Sequence, residues 1–137
     1  MFETILVAID QSDRAQRVLS MAEDLAKCAG GKVRIVHVRE LSSGKFGPVP
    51  KESANWAVSF VDEAVKAMEA DGLVATGVVR DSDAGRVASA ILDEAADSDA
   101  SVIVLGARGL TDLEALVVGS TTHKVLHLGT LPVLVVR

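Results

Sequence analysis

Gly106-Ala107-Arg108-Gly109, nine further residues, and then Gly119-Ser120-Thr121-Thr122 carry the most evident chemistry in this 137-residue chain. Glycine lets backbone approach an oxyanion closely, and a Gly-Ser-Thr-Thr step opening a helix directs free N–H groups and hydroxyls at phosphate oxygens. No Gly-Lys-Ser or Gly-Lys-Thr is present, so this is not a P-loop. The same residues also suit a glycine-permitted joint between a strand and a helix with an ordinary Ser/Thr start. Asp10 ends the first apolar run, a position where aspartate commonly caps the following helix. His123 and His127 are four apart on one predicted helix, a metal-binding spacing without an evident third ligand. Solvent or interface histidines are the plainer reading.

The elements that must position these residues alternate. FETILVAI (2–9) is a near-continuous apolar run, hence a strand buried on both faces. Helical spacing follows in Ala15, Val18, Leu19, Ala22, Leu25, Ala26 and Ala29. Asp13 with Gln16 suits a capping box, and Gly30-Gly31 a stop. KVRIVHVRE (32–40) is a second strand, whose alternating polarity suggests a place nearer the edge. LSSGKFGPVPKE (41–52) reads as a long loop, in the role of lid, contact surface or mobile segment. A helix bearing Ala57, Phe60, Val61, Ala64 and Met68 follows, with Trp56 and Phe60 as core or lid packing, then a strand at 73–80. Asp83 is placed to cap a helix over 84–96. A strand at 101–107, a helix from about 119 to 128 and a last strand, PVLVVR (132–137), complete the pattern.

Strand-helix alternation without repeat or composition break predicts one domain over 1–137, a doubly wound α/β sheet of five parallel strands with helices on both faces. Its ligand site lies where strand order reverses. Order 3-2-1-4-5 sets the first and fourth strands side by side and brings Asp10 to Gly106, whereas order 2-1-3-4-5 would pair the first with the third. The expectation taken forward is 3-2-1-4-5.

Composition narrows the function classes. At 49% hydrophobic the chain can bury a sizeable core. Its apolar runs fall short of the roughly 20 residues that cross a bilayer, and MFETILVAID lacks a basic leader, so neither membrane nor secretion is expected. A net charge of −5 without a Lys/Arg run argues against nucleic acid as partner. The single cysteine, Cys28, fits a reducing cytoplasm and a small core or boundary position. Groups for efficient ATP hydrolysis, a positioned base and cations at the γ-phosphate, are not identifiable. Nor are His-x-Gly-His, Ser-Gly-Gly-x-Asp-Ser or the acid cluster of a receiver domain.

G-x-x-G, nine residues and Gly-Ser after the fourth of five strands, the early "VAID" and the final "PVLVVR" resemble the universal stress protein family, in its ATP-binding branch. The resemblance spans the whole chain. It implies a homodimeric, cytoplasmic, ATP-binding sensor or regulator of the stress response, with ADP or AMP as alternative nucleotides and Mg²⁺ arriving with the phosphates. By that resemblance Asp10 holds the ribose, and Ala8, Ile9 and Val38 either wall the adenine or are routine core residues. Gly106, Gly109, Gly119, Ser120, Thr121 and Thr122 serve the phosphates, Arg108 reaches a phosphate or equally is solvated, and strand 132–136 pairs across a two-fold axis. His37 is structural or ligand-adjacent. The alternatives are a partner-binding dimer of the same fold without nucleotide, and a slow ATPase or phosphotransferase completed by a partner.

Overall fold

β1 (Thr4–Ile9) is the hub of the sheet. Its alternate side chains enter two separate cores: Ile5, Val7 and Ile9 pack in one, and Leu6 in the other. That is why its sequence is apolar almost throughout. Around it the computed structural model, which describes residues 1–107 and 118–137, arranges α1 (Ala15–Ala29), β2 (Lys32–Gly44), β3 (Gly47–Pro50), α2 (Ala54–Ala70) and β4 (Ala75–Asp83). The chain continues through α3 (Val87–Asp97), β5 (Val102–Gly106), α4 (Ser120–Leu128) and β6 (Val133–Val136).

The parallel strands run β4-β2-β1-β5-β6, the 3-2-1-4-5 order expected. The first core is completed by Val18, Ala22 and Ala26 of α1 and Val61 and Met68 of α2, and the second by Ala88 and Ile91 of α3 and Val125 of α4. The sheet is doubly wound, and it reverses direction between β1 and β5.

Several expectations are corrected. Segment 41–52 is not a loop: β2 runs on to Gly44 and turns at Lys45-Phe46 into the antiparallel β3, so the sheet is six-stranded and mixed. Leu41 pairs Asp83 of β4 on one side and Pro50 of β3 on the other. β3 therefore occupies the row that β1 leaves after Ile9, whose register partner is His37. β2 lies nearer the edge than β1, as expected, next to the outer β4; its polar positions also reflect ion pairs such as Arg39 Nε to Asp81 Oδ1 at 2.7 Å and Arg34 Nε to Glu94 Oε1 at 2.7 Å. Asp13 and Gln16 form no capping box, since α1 starts after Arg14 without a side-chain cap. Asp83 does not cap α3 either. It ends β4, and the helix starts later than expected, after Arg86. Cys28 is exposed, not packed. The stop at Gly30 is as expected, a left-handed residue (φ 68°) whose N–H reaches Ala26 O.

α2 approaches the sheet closely at Gly77 of β4. A Cβ there would collide with Val61 Cγ1 and come within 2.9 Å of Val65 Cγ2, both on α2. Gly77→Ala is expected to lower stability by about 1–3 kcal/mol through overpacking. Urea unfolding measures this, and an unchanged midpoint would mean that α2 shifts freely.

Candidate functional site

Where β1 and β5 diverge beyond their C-terminal ends, a cleft of about 120 Å³ opens to solvent. Ala8, Ile9 and Asp10, Val38 of β2, Gly106 of β5, and Ser120, Thr121 and Thr122 of α4 all line it. These are the residues expected from sequence at one site. Gly119 is buried just before α4 and is not among the lining residues. Arg108 and Gly109 lie outside the described residues.

Local hydrogen bonds explain the shape of the β1–α1 turn. Asp10 Oδ1 accepts the Ser12 N–H at 2.9 Å, an Asx turn that replaces the expected capping. The other Asp10 oxygen has no partner among the described residues.

α4 begins at Gly119, which offers no side chain to cap it. Gly119 is not a donor to the cleft, because its N–H binds Ala107 O at 2.7 Å. Nor is the Thr122 hydroxyl, which donates to Gly106 O at 2.6 Å and ties α4 to the end of β5. What α4 presents are the N–H groups of its first turn, the hydroxyls of Ser120 and Thr121, and the positive end of the helix dipole.

The inner wall is apolar, formed by Val36, Val38 and Leu105 of the sheet with Val87 and Ile91 of α3. Val87 and Ile91 also pack at the second core from one face of α3. Their four-residue spacing at its first turns was the signal that they also reach the strand ends. Ser12 and Arg14 were missed as lining residues. Their nearness to Asp10 in the same turn was the available clue.

A second pocket adjoins the first and shares Asp10, Val38, Ser120 and Thr121 with it. There Glu40 holds the β4–α3 connection, its Oε1 accepting the Gly85 N–H at 3.0 Å, while Lys124 Nζ donates to Gly85 O at 3.1 Å. The Lys51 ammonium, 2.9 Å away, and then the Gly85 N–H hold the Glu40 carboxyl below its ordinary range. His37 is buried beside this pocket. Its Nδ1 lies 2.8 Å from Ile9 O and its Nε2 bonds Glu52 Oε1. Trp56 and Phe60 stack on each other and meet the His37 ring edge-on. His123 and His127 are exposed with parallel rings, 6.2 Å between centroids. No group of three metal-ligating side chains occurs among the described residues, and no described helix is long and apolar enough to cross a membrane.

The chain is thus a small α/β protein with a doubly wound sheet and a cleft, part polar and part apolar, at its switch point. The chain matches the model of the universal stress protein family over residues 1–137 and belongs to that family. It is 36% identical over 147 aligned residues to the universal stress protein in the QAH/OAS sulfhydrylase 3' region of Thermus aquaticus, with both chains fully covered. A universal stress protein from Archaeoglobus fulgidus has the same fold, with a TM-score of 0.78 at 28% identity and both chains fully covered. Another structure from that organism, in complex with dAMP, gives a TM-score of 0.75 at 26% identity, covering 99% of this chain and 98% of the other.

Proposed function

We propose that the cleft binds an adenine nucleotide, ATP foremost, and that the chain acts as a nucleotide-dependent sensor or regulator in the stress response. The observation that carries this is the convergence of the uncapped start of α4 with Asp10 and Gly106 at one mouth, over an apolar wall. The Archaeoglobus relative with bound dAMP supports the ligand class. In this reading the base lies against Ala8, Ile9 and Val38, and Asp10 accepts from the ribose. The phosphates meet Gly106 and the first turn of α4, with Arg108 and Gly109 beside them, and bring Mg²⁺ with them. A few hydrogen bonds to charged oxygens at about 1.5–3 kcal/mol each give micromolar affinity without a lysine. Hydrolysis would be slow at most, since the described site holds no positioned base.

Nucleotide released by denaturing the purified protein, followed by calorimetric titration with ATP, tests the reading. About one adenine nucleotide per chain is expected. An empty protein indifferent to millimolar ATP would refute it.

The same proposal makes the protein a cytoplasmic homodimer joined through strand 132–136. Ile103 N–H binds Pro132 O and Ala107 N–H binds Val136 O, so alternate residues of β6 face β5 and the Val135 N–H points outward. Val135→Pro removes an outward donor and keeps the bonds to β5. It is expected to yield folded monomers in sedimentation; a persisting dimer would show that another surface joins the chains.

A further inference from the structure

Both nitrogens of a buried histidine facing acceptors is a demanding arrangement, and His37 has it. Its Nδ1 faces the Ile9 carbonyl at 2.8 Å and its Nε2 the Glu52 carboxylate, with the ring 3% exposed and the Glu52 side chain 8%. A neutral imidazole has one N–H and satisfies one such partner; two partners require a proton shared between ring and carboxylate. The other Glu52 oxygen, Oε2, accepts from the Gln11 side-chain amide. Ile9 and Gln11 are the two residues that flank Asp10. Glu52 thus holds both neighbours of that carboxylate from 42 residues away, one through His37 and one directly.

We infer that Glu52 and His37 are positioning residues for the nucleotide, a protonation-dependent brace that fixes Asp10 at the cleft mouth. This rests on the proposed nucleotide reading of the cleft. The brace is complete while the pair holds its proton. When the ring loses it, one of its two nitrogens turns a lone pair to an acceptor, the Ile9 carbonyl or the Glu52 carboxylate, that contact opens, and the 10–12 turn loosens. Other charged groups surround the pair. Arg39, ion-paired with Asp81, places Nη1 3.4 Å from the Glu52 backbone oxygen. Asp10, Glu40, Lys51 and Lys124 line the adjoining pocket. α2 contributes the rings of Trp56 and Phe60.

Glu52→Gln separates this role from a merely structural one. Its amide can donate to the neutral ring's Nε2 while its oxygen accepts from Gln11, so the brace then closes without the extra proton. ATP affinity is measured for both proteins from about pH 5 to about pH 8 or until the ring titrates, the range in which histidine changes charge. Their ratio cancels the titration of the ATP phosphates. Affinity of the native protein relative to Glu52→Gln is expected to fall about tenfold as the ring titrates, the worth of one charge-assisted hydrogen bond. In parallel, ring ¹⁵N signals of His37 should report both nitrogens protonated at low pH, and the Gln11 and Ser12 amides should shift with the same midpoint. A constant ratio while the ring titrates would overturn the brace, as would amides that ignore the ring. If neither protein binds ATP while the amides still follow the ring, the nucleotide reading fails and the brace on the turn stands.

Discussion

Gly119→Val is expected to weaken nucleotide binding by roughly 30-fold or more. Gly119 is the N-cap of α4, held by its N–H to Ala107 O at 2.7 Å and by its carbonyl to the His123 N–H at 2.8 Å. Its dihedrals, φ −58° and ψ 157°, are open to any residue, so valine does not unfold the cap by strain. The effect instead comes from bulk. Gly119 is buried and does not itself line the cleft, but it directly precedes the first-turn donors, so accommodating two methyl groups would displace Ser120 and Thr121 from where a phosphate oxygen has to come within hydrogen-bond distance. Loss of one or two bonds to a charged oxygen corresponds to about 2–4 kcal/mol, or roughly 30-fold to 1000-fold in dissociation constant. Titration calorimetry reads the affinity and urea unfolding the stability. Tight binding by the variant would remove this glycine from the site.

Asp10→Ala is expected to weaken ATP by about tenfold to a hundredfold through loss of a carboxylate acceptor for ribose. It carries a second effect, because Asp10 Oδ1 also holds the Ser12 N–H. Asp10→Asn separates the two: its amide oxygen can keep the turn, while the charge is gone. Asparagine should bind with intermediate affinity at near-native stability, and alanine should lose both. Native affinity in the alanine variant would end the ribose assignment.

The parts of this molecule legible in its sequence are those where one local pattern meets one environment. β1 and β5 are apolar runs buried on both faces, and each helix keeps its apolar stripe against the sheet. Given those elements and right-handed crossovers, the meeting of Asp10 with Gly106 follows from strand order alone. The hairpin was hidden because LSSGKFGPVP has poor strand propensity. β3 exists through its pairing with β2, and Gly47 supplies the positive φ of 123° at its turn. The capping box failed for a related reason: Asp10 closes its own turn on Ser12 before α1 begins, so the helix starts without the side-chain cap that Asp13 appeared to offer. His37 was visible as a strand histidine near the crevice. Its partner Glu52 was not, since nothing local marks a glutamate that acts across a hairpin on residues flanking Asp10.

The two outer parallel strands of the sheet differ in a way that bears on how large an assembly can grow. β6 offers Val133, Leu134 and Val135, all half-buried and none charged. β4 ends in Arg80-Asp81-Ser82-Asp83, with Arg80 bound to Glu94 and Asp81 bound to Arg39. Charged side chains on an edge discourage another strand from laying down there. Head-to-tail growth of β6 onto β4 would propagate without limit, as open-ended contacts do. With that edge guarded, the β6-to-β6 pairing proposed above is favoured over head-to-tail growth onto β4. A pair joined in that way would close at two chains, and the guarded edge removes one route to fibres.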